Sequence, residues 1–286
     1  WKEEKEFVFD FFPRGFWLVG DVNSYGIKDE DAEKYFAEIF RKVKDELNCN
    51  TLLLPATQSK HYEMVFRQAR ANNLKIILPC SQELKGYLLI DSQKRVSEQT
   101  ISQYLKERVG KLPSDPAVIG VELRDEPQIW TFENWNAVRR IFGNLCPNLS
   151  DFSCFNTISF ADKFAGETNY RTPFQVDVYP FYNKVTGSPT GAYERAMEQL
   201  KGQKFIAVVQ AFGDSLQRMP NSPEVANMIY MSIAYGAKGF LPFIFQNYEK
   251  AALRKGVVDG VTLKPTDENL YRRIAKIYAF IAKNEK

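Results

Sequence analysis

Val118-Ile119-Gly120-Val121-Glu122-Leu123-Arg124-Asp125-Glu126-Pro127 passes from apolar to acidic within ten residues and stops at a proline. The run from Ala117 to Leu123 has the length and apolar content of a buried strand. Strands that read as near-continuous apolar runs belong to parallel sheets covered by helices on both faces. Pro127 ends the strand and pushes the residue before it away from helical backbone. Asp125 and Glu126 therefore fall at the strand's C-terminal end, with a helix expected to follow at Glu133–Phe142.

The same alternation extends in both directions. Phe16–Gly20, Thr51–Leu54 and Leu74–Pro79 read as strands one to three. Cys154–Ser159, Phe174–Tyr179, Phe205–Gln210 and Gly239–Phe245 read as strands five to eight. Between them lie stretches with apolar residues at helical spacing: Asp29–Leu47, Lys60–Asn72, Ser97–Val109, Ala192–Lys201, Pro223–Tyr235 and Asn269–Lys283. The helix after strand five has the faintest pattern. Ser222 is the expected N-cap of the Pro223 helix, with Glu224 in its first turn. Eight strands alternating with helices predict an α/β fold, a single (β/α)8 TIM barrel spanning residues 1–286, with 1–12 as an N-terminal extension. A barrel of this kind takes about 250 residues, and no Pro/Gly/Ser-rich linker divides the chain. A doubly wound open sheet is the runner-up. It usually carries a GxGxxG turn after the first strand, which Gly20-Asp21-Val22-Asn23-Ser24-Tyr25-Gly26 does not match.

Composition removes several function classes. The 38 Lys+Arg against 35 Asp+Glu leave a formal net charge of +3, too diffuse for the dense basic face of a nucleic-acid binder. No apolar run approaches the roughly 20 residues of a membrane span. The charged start, Trp1–Glu6, lacks the apolar core of a signal peptide. The compartment stays open, with a secreted or periplasmic location placed ahead of a cytoplasmic one. Cys49, Cys80, Cys146 and Cys154 show no CxxC spacing, and His61 is the single histidine. No metal site and no cofactor is expected on that donor set. A Cys146–Cys154 disulfide remains open, because spacing cannot decide it. His61 reads as a helix-start residue.

In a barrel the active site forms at the C-terminal ends of the strands. The polar residues expected there are Asp21, Asn23 and Tyr25; Thr57, Gln58 and His61; Ser81, Gln82 and Glu83; and Arg124, Asp125 and Glu126. From the later strands come Asp177, Tyr179 and Tyr182; Gln210 and Asp214; and Gln246, Asn247 and Tyr248. This set is rich in carboxylates, amides and rings and lacks a phosphate grip. It suits a neutral polyhydroxylated ligand. Strand alternation places Asp177 and Tyr179 on one face and Val176 and Val178 on the other.

The strand ending in Arg124-Asp125-Glu126-Pro127 resembles the fourth strand of retaining clan A glycoside hydrolases, which ends in Asn-Glu-Pro with the Glu as general acid/base. Gln210-Ala211-Phe212-Gly213, the Pro-started helix and Gly236-Ala237-Lys238-Gly239 resemble the seventh- and eighth-strand region of glycoside-hydrolase-like barrels. The Gly-Ala-Lys-Gly segment precedes strand eight and reads as a bottom turn. The resemblance covers about Phe16 to Phe245. It implies a glycosidase acting on an oligo- or polysaccharide, with Glu126 as acid. One departure matters: clan A enzymes carry their nucleophilic Glu at the end of strand seven, where this chain has Gln210, and an amide supplies no anion.

Glycoside cleavage needs two carboxyl groups about one bond. Asp177 is the candidate for the second, and Asp125 the substitute for either. Asp21, Asn23, Arg124, Tyr179, Gln210 and Asn247 are candidate ligand contacts, and Trp17, Trp130 and Phe212 candidate stacking platforms. Two other readings stay open: a barrel that binds a glycan without cutting it, as Gln210 suggests, and a barrel enzyme of another chemistry. Oligomeric state is not readable from the chain.

Overall fold

The computed structural model describes residues 9–55, 59–79, 94–127, 131–156, 174–184, 187–248 and 254–285. The strands are β1 (Gly15–Trp17), β2 (Thr51–Leu53), β3 (Lys75–Pro79), β4 (Val118–Glu122), β5 (Ser150–Asp151), β6 (Cys154–Phe155), β7 (Phe174–Val178) and β8 (Phe205–Val209). The α-helices are α1 (Ala32–Arg41), α2 (Tyr62–Ala71), α3 (Glu98–Val109), α4 (Phe132–Leu145), α5 (Pro189–Gln199), α6 (Ser222–Ala234) and α7 (Glu268–Asn284). Every paired strand runs parallel to its neighbour, in two sheets ordered β1-β2-β3-β4-β5 and β6-β7-β8.

The expected fifth strand is displaced and divided. It begins at Ser150, and its first part pairs with β4 while its second pairs with β7. The Asp151 carboxylate accepts from the Ser153 N–H (2.8 Å) and hydroxyl (2.7 Å), a local turn that competes with the ladder. The remainder of that expectation, residues 157–159, lies outside the described residues. The expected eighth strand, Gly239–Phe245, forms isolated bridges instead of a ladder: Phe240 to Arg14 and to Ala207, and Phe243 to Gln210. Pro242 lies in its middle and has no N–H to give, although its carbonyl accepts from Trp17 (3.1 Å). This segment joins β8 to β1, and a parallel bridge from Asp125 to Cys154 joins the two sheets on the other side. The strands thus follow a (β/α)8 barrel course as two arcs, joined on both sides by isolated bridges instead of continuous ladders.

Two apolar layers follow from strand alternation. Leu52, Ile76, Val121, Val176 and Val209 face the helices, where Phe36, Phe40, Phe66, Val138 and Met228 meet them. Trp17, Leu53, Ile77, Phe152, Cys154, Ile206, Val208 and Leu241 fill the interior. Gly120 of β4 lets this happen: a Cβ there would stand 2.5 Å from the Phe152 ring. In α1, Ala32, Tyr35, Phe36, Ile39 and Phe40 are buried at the spacing of one helical face.

Caps set the helix starts. Ser97 accepts from Thr100 N–H (3.2 Å) before α3, and Ser188 from Gly191 N–H (3.2 Å) before α5. The cap of α6 is Asn221 rather than Ser222. A capping box needs three residues from cap to acid, and Asn221 with Glu224 has that spacing, making both reciprocal bonds. Ser222 becomes the first helical residue. Cys146 and Cys154 carry free thiols, so no disulfide joins them. Among the described residues no helix is long and apolar enough to cross a membrane.

Candidate active site

The barrel order puts β4 and β7 on either side of β6, and this brings their C-terminal ends together. Asp125 and Glu126 follow β4; Asp177 is the fourth residue of β7. As alternation predicts, Val176 and Val178 pack toward the helices. Tyr179 packs against the interior cluster. The side chain of Asp177 is only 5% exposed and makes a hydrogen bond with Glu126. The two carboxyls are therefore in contact, from different strands, at the mouth.

The local backbone presents Glu126 in an unusual way. Its φ is +45°, a left-handed conformation that costs a side-chain-bearing residue on the order of 1 kcal/mol or more. Two bonds hold it there. Cys154 N–H donates to the Arg124 carbonyl (3.0 Å), and Glu126 N–H donates to the Cys154 carbonyl (2.9 Å). Glu126 is exposed, whereas Asp177 is not.

Burial and crowding decide the protonation of this group. Asp177 is pushed up to about 8, first by loss of solvent and then by the charge and hydrogen bond of Glu126, with Asp125 adding to both. A proton therefore stays in the pair at neutral pH. Asp125 lies open at the rim, yet its surroundings strip enough water to push it to about 6. Glu126 adds to this, and Arg124 and Arg254 oppose it. Glu122 lies beneath, 5% exposed, with one carboxyl oxygen lacking a hydrogen-bond partner. Burial holds it well above the usual carboxylate range, and it stays protonated. Among the described residues no group of His, Cys, Asp and Glu has the arrangement to hold a metal ion.

One wall is aromatic. Tyr179 meets Phe212 edge-on with ring centres 4.9 Å apart, Phe212 meets Phe243 at 5.3 Å, and Trp17 meets Phe243 at 5.6 Å. The Arg254 guanidinium covers Phe212 (5.4 Å) and Phe243 (5.3 Å), and its Nε lies 3.4 Å from Asp214.

Several residues expected as ligand contacts have other partners. Gln210 is fully buried: its carbonyl accepts from Phe181 N–H (3.0 Å). Its amide nitrogen donates to the carbonyls of Arg218 (3.0 Å), Phe212 (3.3 Å) and Phe181 (3.4 Å). The position where clan A enzymes carry an acid is here a clamp on the loops after β7 and β8. Trp17 is 7% exposed, with its indole N–H on Gln175 (3.0 Å), and Phe212 is 1% exposed beneath Arg254. Both are core rings rather than open platforms. Asp21 caps a short 3-10 turn at Ser24, and Asn247 donates to Asp259 (3.2 Å) while accepting from Gly260. Asn23 is exposed beside the first of these turns, and Arg124 is half-buried beside Glu122 and Asp125. His61 sits at the N-cap position of α2, 3.3 Å from Asp29, in keeping with its helix-start reading. Thr57, Gln58, Ser81, Gln82, Glu83 and Trp130 lie outside the described residues.

Glu122, Cys154, Phe243 and Arg254 are the additions that sequence reasoning did not reach. Glu122 left a signal, an acid inside an apolar run on the same face as Gly120. Arg254, in a loop, left none.

No protein-family model matches the chain, and no curated protein matches it. Solved structures do. A β-glucuronidase from an uncultured Clostridium species is 14% identical, with a TM-score of 0.63 over 94% of this chain and 50% of its own. The Ruminococcus gnavus β-glucuronidase is 13% identical, with 0.64 over 94% and 50%. A catalytic mutant of a GH42 β-galactosidase from G. stearothermophilus is 13% identical, with 0.66 over 96% and 57%. The chain is thus similar in fold to glycoside-hydrolase TIM barrels and spans about half the length of these structures.

Proposed function

We propose that this barrel hydrolyses an O-glycosidic bond of an oligo- or polysaccharide, with Glu126 and Asp177 as its working carboxyl pair. One observation carries the reading: a carboxyl from the end of β4 and a buried one from β7 face each other at the mouth, where burial and mutual charge raise Asp177 above the usual carboxylate range. The likeness in fold to β-glucuronidases and a β-galactosidase supports it.

Burial favours Asp177 as the group that keeps the proton and passes it to the departing oxygen. This reverses the assignment the clan A resemblance implies, in which Glu126 is the acid. Glu126, at the open rim, is the member that attacks or draws a proton from water. A retaining pair stands about 5–5.5 Å apart and an inverting pair about 6.5–9.5 Å. Glu126 and Asp177 interact directly, so a substrate must part the two carboxyls as it enters. Asp125 stands ready to replace one of them, and Tyr179 and Arg124 border the space.

Gln210 favours a second reading, a barrel that binds a glycan without cleaving it, because β8 ends in no acid. A panel of chromogenic glycosides and polysaccharides, run with wild type, Glu126→Gln and Asp177→Asn, separates the two. A hydrolase loses roughly 10²–10⁴-fold in turnover in either variant. Glycan affinity without turnover, unchanged by Glu126→Gln, supports the binder. Turnover indifferent to both substitutions refutes the pair.

A further inference from the structure

Cys154 touches both members of the pair. Its carbonyl accepts from Glu126 N–H (2.9 Å), and its N–H closes the same bridge on Arg124 (3.0 Å). Its thiol, on the interior face, donates to Asp177 Oδ1 at 3.7 Å, an ordinary distance for a sulfur donor. The residue is 1% exposed and packs among Trp17, Leu53, Ile77 and Phe152. Burial and the charges of Asp177, Asp125, Glu122 and Glu126 all hold it well above its usual range, which favours the S–H donor form.

From this juxtaposition we infer that Cys154 is the positioning residue of the carboxyl pair, its backbone fixing Glu126 and its S–H orienting Asp177 and favouring that group's ionised form. The inference rests on the reading of Glu126 and Asp177 as the working pair. It goes further in naming what sets their relation. The groups facing Asp177 are Glu122 within β4, Glu126 and Asp125 from its end, Tyr179 from its own strand and Cys154 from β6. Cys154 is the neutral donor from the adjacent strand; Glu126 and Asp125 both oppose the charge on Asp177. A thiol is a weak donor, which suits a group that must accept and release a proton.

The test is a carboxyl carbon NMR titration of the whole protein, which needs no substrate. Cys154→Val keeps the volume and removes the donor, Cys154→Ala removes both, and Cys154→Ser keeps a donor. The Asp177 midpoint is expected to rise by about half to one pH unit in the Val and Ala variants. It is expected to stay at or below the wild-type midpoint in the Ser variant. Equal midpoints in all four proteins, or one common displacement in the three variants, overturns the inference. Should the Val and Ala variants fail to fold, the infrared S–H stretch of the wild type decides the matter. A band that moves as Asp177 titrates supports the hydrogen bond, and a band that stays still refutes it. A protein with no glycosidase activity that still shows these shifts removes the proposed function and leaves only the Cys154 control of Asp177 standing.

Discussion

Asp177→Asn should make the protein more stable relative to wild type as pH rises. Asn has the shape of a protonated carboxyl and can still donate to Glu126, so the substitution fixes the state that burial favours. In the unfolded chain Asp177 loses its proton near 3.8, and in the folded one near 8. Between those values the folded state binds one proton more than the unfolded state, so wild-type stability falls with rising pH, by about 1.4 kcal/mol per unit. The Asn variant has no such dependence at this position, and subtracting the two cancels the other titrating groups to first order. From pH 5 to pH 7, well inside the window, the variant should gain about 3 kcal/mol on the wild type. Urea unfolding of both proteins at pH 5, 6, 7 and 8 measures it. A difference constant across that range, or one that shrinks as pH rises, would show that Asp177 is ionised in the fold and that the pair holds no proton.

Two other substitutions test the surroundings. Gln210→Glu supplies the acid that the clan A resemblance leads one to expect after the seventh barrel strand, yet it should cripple the fold instead of improving turnover. Three carbonyls at 3.0–3.4 Å would then face a buried carboxylate, at a cost of about 3 kcal/mol or more, read as a melting temperature lower by roughly 10 °C; an unchanged melting temperature would mean the clamp is dispensable. Glu126→Gly should be more stable than Glu126→Gln by about 1 kcal/mol, because both remove the charge but only glycine relaxes at a φ of +45°. Equal unfolding free energies for the two would remove backbone strain as a property of this residue.

The barrel was legible because its strands are apolar on both faces and its helices on one, a pattern that parallel pairing imposes. The positions of Asp125, Glu126 and Asp177 followed from it, since strand order and alternation alone place them at one mouth. What escaped the sequence was local. Ser150-Asp151 is too polar to read as strand, yet it pairs with Gly120 and Val121 of β4, and the Val121 carbonyl accepts from the Phe152 N–H (2.9 Å). Pro242 sits in a run that reads as strand by hydropathy, but a residue without a donor cannot sustain a ladder. Gln210 looked like a ligand contact because its place after the seventh barrel strand is a catalytic one elsewhere. Its partners are loop carbonyls, and nothing in linear order announces that Phe181, Phe212 and Arg218 converge on one side chain. The thiol on Asp177 was hidden for the same reason: two residues 23 apart meet only through strand register.

The seam between the two sheets passes through the middle of the acidic pair. Glu126 is anchored to the five-stranded arc and Asp177 to the three-stranded one, and near the mouth the arcs are stitched by the bridge at Cys154. Because the Cys154 carbonyl also holds the Glu126 N–H, that one bridge ties the backbone of one acid to the arc that carries the other.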